Sequence, residues 1–108
     1  MVVLCNNTVL ADKVVLADSF FSRFKGLMGR KQLYGGEGLL LMNCPSVHSF
    51  FMKISIDAVY LSREMTVVGV ETLPPWHIGR HIKGTAHVLE LAVGAALVSV
   101  GDVLQTRK

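Results

Sequence analysis

Ile54-Ser55-Ile56-Asp57-Ala58-Val59-Tyr60-Leu61, then Ser62-Arg63-Glu64, then Met65-Thr66-Val67-Val68-Gly69-Val70-Glu71, is the stretch on which the fold turns. Ile54, Ile56, Ala58 and Tyr60 alternate with Ser55, Asp57, Val59 and Leu61, the two-residue period of a strand. The polar triplet 62–64 makes a turn, and 65–71 returns as the second arm of a hairpin. A chain organised this way builds its sheet from neighbours joined by tight turns.

The same grammar extends outward in both directions. Short apolar runs at 1–5, 8–10, 13–17, 38–42, 49–52, 86–91 and 103–106 read as strands. Asn6-Asn7, Gly35-Gly36 and Gly101-Asp102 punctuate them, each able to adopt the left-handed backbone that turns demand. The wholly apolar 38–42 reads as a central strand. One helix is expected over 19–28. Asp18 caps it, and Phe20, Phe21, Phe24, Leu27 and Met28 recur at helical spacing. The run 92–100 fits either an apolar helical turn or a loop. Residues 73–84 contain Pro74-Pro75, Trp76, Gly79 and Gly84, which forbid regular structure there. The sum is a mainly β (α+β) chain. It has seven or eight short strands in a small, strongly curved or barrel-like sheet, capped by one short helix. Tight turns between strands argue against a doubly wound parallel sheet.

Composition bounds the function. The 108 residues are 51% hydrophobic and 18% charged, which suits a single folded domain over 1–108 and excludes a disordered tail. One core of this size leaves no room for a separate cofactor domain. The net charge of +3 is mild, and the cations are scattered, so no nucleic-acid partner and no cofactor are expected. Two cysteines, Cys5 and Cys44, are not a disulfide framework. No apolar run reaches the roughly 18 residues of a membrane helix. The opening Met1-Val2-Val3-Leu4-Cys5 lacks a basic segment and a long apolar core, so it reads as a strand rather than an export signal. The default is a cytoplasmic protein, monomeric or weakly oligomeric; an exported protein trimmed of its leader would look the same.

Gly26-Leu27-Met28-Gly29-Arg30, Leu33, Gly38, His48 with Phe51-Met52, Ile56-Asp57, Glu90-Leu91, Gly94 and Gly101-Asp102 occur in an order that resembles the domain-of-unknown-function 192 family. The resemblance spans about residues 11–104. Cys44-Pro45-Ser46-Val47-His48-Ser49-Phe50-Phe51-Met52 is similar to the branch with a Cys-x3-His before the Met. This chain departs from other members, with Phe51 where they carry Trp and Lys53-Ile54-Ser55 where they carry an Asn-Thr pair. The resemblance implies a compact β-rich domain and supplies no catalytic assignment.

Several residues are candidates for a site. Cys44, His48 and Met52 lie four apart and offer a thiolate, an imidazole and a thioether, a soft set suited to a thiophilic metal. Extended residues four apart are about 13 Å apart, however, too far for ligands each about 2.3 Å from one ion. No metal is therefore assigned. Cys44 as nucleophile with His48 as base is the enzymatic version, with Asp57 or one of His77, His81 and His87 to orient the imidazole. Asp57, in an apolar run, needs a partner if buried, and Arg30 offers a two-pronged one. Glu90 poses the same question and is expected on the solvent side of its strand. Trp76, His77 and Arg80, with His81 and Lys83, make an aromatic and cationic loop that either contacts a partner or plugs the barrel end.

The leading expectation is a binding or assembly module for an unidentified ligand or protein partner. It would use Arg30, Cys44, His48, Met52, Asp57, Trp76, His77 and Arg80 around one shallow polar pocket. The alternatives are a small enzyme or metal-binding protein built on Cys44, His48 and Asp57, and a purely structural accessory domain.

Overall fold

The computed structural model describes residues 1–19 and 30–108. The chain opens with β1 (Val2–Cys5) and β2 (Thr8–Ala11), an antiparallel pair. They are joined by Asn6 and Asn7, both at positive φ (52° and 64°), the pattern of the two-residue hairpin turn that matches strand twist. β3 (Lys13–Ala17), β4 (Glu37–Leu41), β5 (Ile56–Leu61), β6 (Val67–Leu73), β7 (His87–Leu91) and β8 (Leu104–Arg107) complete the eight strands. The expected hairpin forms, with Ile56 opposite Leu73 and Tyr60 opposite Gly69.

The strands make two sheets, ordered β2-β1-β8 and β3-β4-β7-β5-β6. The expected single barrel-like sheet does not close. Among the described residues, backbone hydrogen bonds join the sheets at two corners, between Met1 and Val14 and around the isolated bridge of Thr66 and Val103. Neither corner extends into a ladder between named strands. β4 is interior, as its apolar run predicts. One pair is parallel, β3 with β4; such a pair needs a crossover of a dozen or more residues, here 18–36. Apart from Ser19, the expected helix at 19–28 falls outside the described residues.

Two apolar layers flank the five-stranded sheet. Val59, Leu61, Leu89, Leu91, Leu40 and Val14 face Val3, Cys5 and Leu104 of the smaller sheet. Leu39, Leu41, Ile56, Ala58, Tyr60 and Val88 point the other way, where Val47 and Met52 from a loop cover them. β5 and β7 are therefore buried along their whole length. Each face supplies apolar burial at roughly 25 cal/mol per Å². Alternation in β5 thus distinguishes two interiors rather than inside from outside.

One other expectation fails. Residues 49–52 are a turn and not a strand, because Met52 N–H donates to the Ser49 carbonyl (3.1 Å) and Phe51 takes φ 66°. Of the two forms open to residues 92–100, turns and loop are the ones found.

Candidate functional site

Two irregular segments, 43–55 and 74–84, lie over the second layer and pair with each other. His48 and Ile78 form an antiparallel bridge. Ser49 N–H donates to the His77 carbonyl (2.8 Å), Trp76 N–H to the Ser49 carbonyl (2.9 Å) and Gly79 N–H to the Val47 carbonyl (2.8 Å). The Ser49 side chain is the hub, and Ser49 is 0% exposed. Its hydroxyl donates to the Pro74 carbonyl and accepts from His77 N–H at 2.8 Å. It thus stands inside the turn 74–77, where the turn's own hydrogen bond would otherwise run.

Each segment raises one large aromatic residue on a left-handed corner. Pro75-Trp76 occupies the two central positions of a turn that normally takes Pro-Gly, and Trp76 has φ 64°. Phe51 holds the third position of its own turn at φ 66°. Left-handed backbone costs a bulky L-residue roughly 1–2 kcal/mol. Phe51 and Trp76 are nevertheless each 59% exposed. Their rings touch, with centroids 4.7 Å apart and planes tilted by 58°. Phe50 lies 6.1 Å from Trp76, and His48 lies 5.0 Å from Phe50. The plug expected of Trp76 is not seen, since most of the ring is in solvent.

The second segment is fastened from below. Glu71 accepts from Tyr60 Oη (2.6 Å) and from Arg80 N–H (2.7 Å), and the Arg80 guanidinium lies 3.7 Å away. Burial and the Glu71 carboxylate push the Tyr60 phenol well above its usual range. Gly79 passes directly over Tyr60 Oη and Val47, where a Cβ would collide with both. Gly79→Ala is expected to destabilise the chain by about 1–3 kcal/mol, the usual range for overpacking. Chemical denaturation measures it.

Register places Glu90, Ala58 and Glu71 in one row across β7, β5 and β6, on the face beneath these segments. Glu90 is 2% exposed and accepts no hydrogen bond from a described residue, and burial raises its carboxyl to about 8. The solvent-facing expectation for Glu90 is thus wrong. β7 is the middle strand of five and apolar layers cover both faces of the sheet, so neither of its faces meets water.

The structure separates the expected pocket into parts. Cys44, His48, Met52, Trp76, His77 and Arg80 all belong to the paired segments or their underside. Cys44 Sγ donates to the Ser46 carbonyl (3.0 Å), and Met52 is buried in the second layer. His77 Nδ1 lies 2.8 Å from the Pro75 carbonyl, which fixes that nitrogen as the protonated one. Asp57 instead faces the opposite side of the sheet, between Thr72 Oγ1 (2.7 Å) and Gly94 N–H (2.9 Å). It cannot orient His48. Arg30 pairs with Glu37 at 3.1 Å and not with Asp57. That ion pair holds the Glu37 carboxyl below its usual range, behind the larger effect of Tyr34 N–H. Among the described residues no three His, Cys, Asp or Glu side chains are placed to share a metal ion. Cys5 is buried against Asp102, which with desolvation pushes its thiol up and keeps it unreactive.

Ser49, Tyr60, Glu71 and Glu90 were not legible as site residues. For Glu90 a signal existed: Val88-Leu89-Glu90-Leu91 is as apolar around its carboxylate as 38–42 is throughout.

The family model described as "Uncharacterized ACR, COG1430" (DUF192) matches residues 2–106. A UPF0127 protein of Pyrococcus abyssi is 38% identical over 103 residues, covering 86% of this chain and 85% of that one. A UPF0127 protein of Pyrococcus furiosus is 34% identical over the same length, with the same coverage. The crystal structure of a protein of unknown function from Novosphingobium aromaticivorans shares the fold, with a TM-score of 0.84 at 22% identity. It is matched over 98% of this chain and 84% of that one. Sequence and architecture agree, and this chain belongs to the DUF192 family of UPF0127 proteins.

Proposed function

We propose that this chain is a binding module whose contact surface is the Phe51–Trp76 pair. One observation supports the reading above the others. Two contacting aromatic side chains are held in solvent on left-handed corners, each locked by the buried Ser49 hub. Neither exposure nor backbone strain helps the fold, and strain of this kind gathers at binding sites. The enzymatic reading loses Asp57 as an orienting group, because Asp57 faces the other side of the sheet from Cys44 and His48.

The test separates surface from scaffold. Trp76→Gly is expected to be more stable than Trp76→Ala by about 1 kcal/mol, since glycine takes φ 64° without a Cβ penalty. This reverses the usual order of the two residues, and thermal unfolding reads it. In pull-downs from source-organism lysate, Trp76→Gly should lose the proteins that the unmodified chain retains. Equal retention by both would leave the accessory-domain reading in its place.

A further inference from the structure

Charge is segregated along the segments that carry the aromatic pair. The two paired segments, 43–55 and 74–84, contain Lys53, Arg80 and Lys83 and three of the four histidines, His48, His77 and His81. They contain no Asp and no Glu, although the chain has eight acidic residues elsewhere. Lys53 is exposed two positions after Phe51, and His77, Arg80, His81 and Lys83 are exposed on the segment that carries Trp76. Glu71 lies beneath this surface, turned inward onto Tyr60 and the Arg80 backbone. It engages Arg80, so Lys53 and Lys83 are left to face a partner.

The rings decide what lies between the cations. A tilt of 58° at 4.7 Å makes a wedge, not a flat shelf. Stacked bases need open, parallel ring faces and a groove that tracks many phosphates. Rings in contact leave no slot between them, but their tilted outer faces offer one aliphatic or aromatic side chain of a partner a surface to pack against, with its flanking residues over the basic segments. Resting on the binding-module reading above, we infer that the Phe51–Trp76 wedge takes an extended protein segment in which acidic residues flank an apolar side chain. Opposite charges at such a rim favour the right partner and speed its approach more than they deepen its affinity.

Trp76 is the only tryptophan, so its emission reports this surface directly. The experiment titrates the full chain at low salt with four probes. They are an N-acetylated peptide with Asp and Glu around Leu-Phe, the same peptide with Lys in place of each acid, the acidic peptide with Ser for Leu-Phe, and oligothymidylate. The acidic apolar peptide should shift Trp76 emission to the blue and saturate, at least about tenfold tighter than either control peptide. Lys53→Glu combined with Lys83→Glu should weaken it by about tenfold, and added salt should weaken it in the unmodified chain. Both lysines are exposed, so the variant keeps its fold, checked by its unfolding curve. Equal or tighter binding of the basic peptide overturns the inference. Tighter binding of oligothymidylate overturns it in favour of a nucleic-acid surface. If no peptide binds but Trp76-dependent capture from lysate persists, the partner chemistry is wrong and the module reading stands. If both fail, both readings fall.

Discussion

Between about pH 4.5 and pH 8 the folded chain is expected to lose stability as pH rises, and Glu90→Gln to abolish that loss. The native Glu90 carboxyl is raised from 4.5 to about 8 because burial disfavours its charged form, and among the described residues no cation pairs with it. In the unfolded chain it ionises near its ordinary value. Within that window the native state therefore holds a proton that the unfolded state has released. Its stabilising contribution is complete below about 4.5 and is lost as pH rises toward 8. The slope is about 1.4 kcal/mol per unit, so the loss by pH 7 is about 3 kcal/mol. Glutamine mimics the protonated acid in shape and neutrality. Glu90→Gln should match the unmodified chain at pH 4.5 and exceed it by about 3 kcal/mol at pH 7. Urea denaturation of both proteins at four pH values measures it, and only the difference between the curves is used. His87 acts in the opposite sense. Burial and then Arg63 hold its imidazolium form off, while its Nδ1 accepts from Asn43 N–H at 2.9 Å, so it penalises acid rather than base. That contribution is common to both proteins and cancels. Parallel curves would show that Glu90 ionises freely in the native state.

Ser49→Ala should cost about 2–4 kcal/mol, although it removes a single oxygen. The hydroxyl satisfies the Pro74 carbonyl and His77 N–H together, inside a turn that has no bond of its own. The Ser49 side chain is fully buried and both bonds are part-buried, and losing each hydrogen bond of this kind costs about 1–2 kcal/mol. In a chain of this size the fall in Tm is on the order of 10 °C. The effect should also appear locally, as faster amide hydrogen exchange at His77 and Trp76. A loss below about 0.5 kcal/mol would mean that the turn closes on itself and makes the bond the serine had replaced.

The fold was legible where the pattern depended on near neighbours. The hairpin of β5 and β6, the Asn6-Asn7 turn and β3 were all placed by period and punctuation, because those signals arise from backbone geometry within a few residues. Strand order was not legible. Nothing local to 86–91 says that it lies between β4 and β5 or that loop residues such as Val47 and Met52 cover that face, and the two together bury Glu90. The same limit explains Asp57 and Arg30. Their chemistry invited a tie, but pleat direction set Asp57 toward Gly94, and Glu37 stood nearer to Arg30. For the paired segments, composition pointed to Trp76, His77 and Arg80 and to the Cys44–Met52 run. The residue that joins the two segments, Ser49, is chemically ordinary; only its burial makes it special.

The order β3-β4-β7-β5-β6 also bears on how the chain is made. β7 is the latest of the five to leave the ribosome and the one that belongs in the middle. Until residue 91 has emerged, β4 and the β5–β6 hairpin present facing edges with no strand between them. Open apolar edges of this kind are prone to pair with other chains. A nascent chain of this protein must therefore wait with its sheet divided. Completion of the sheet and the burial of Glu90 both wait on the same strand.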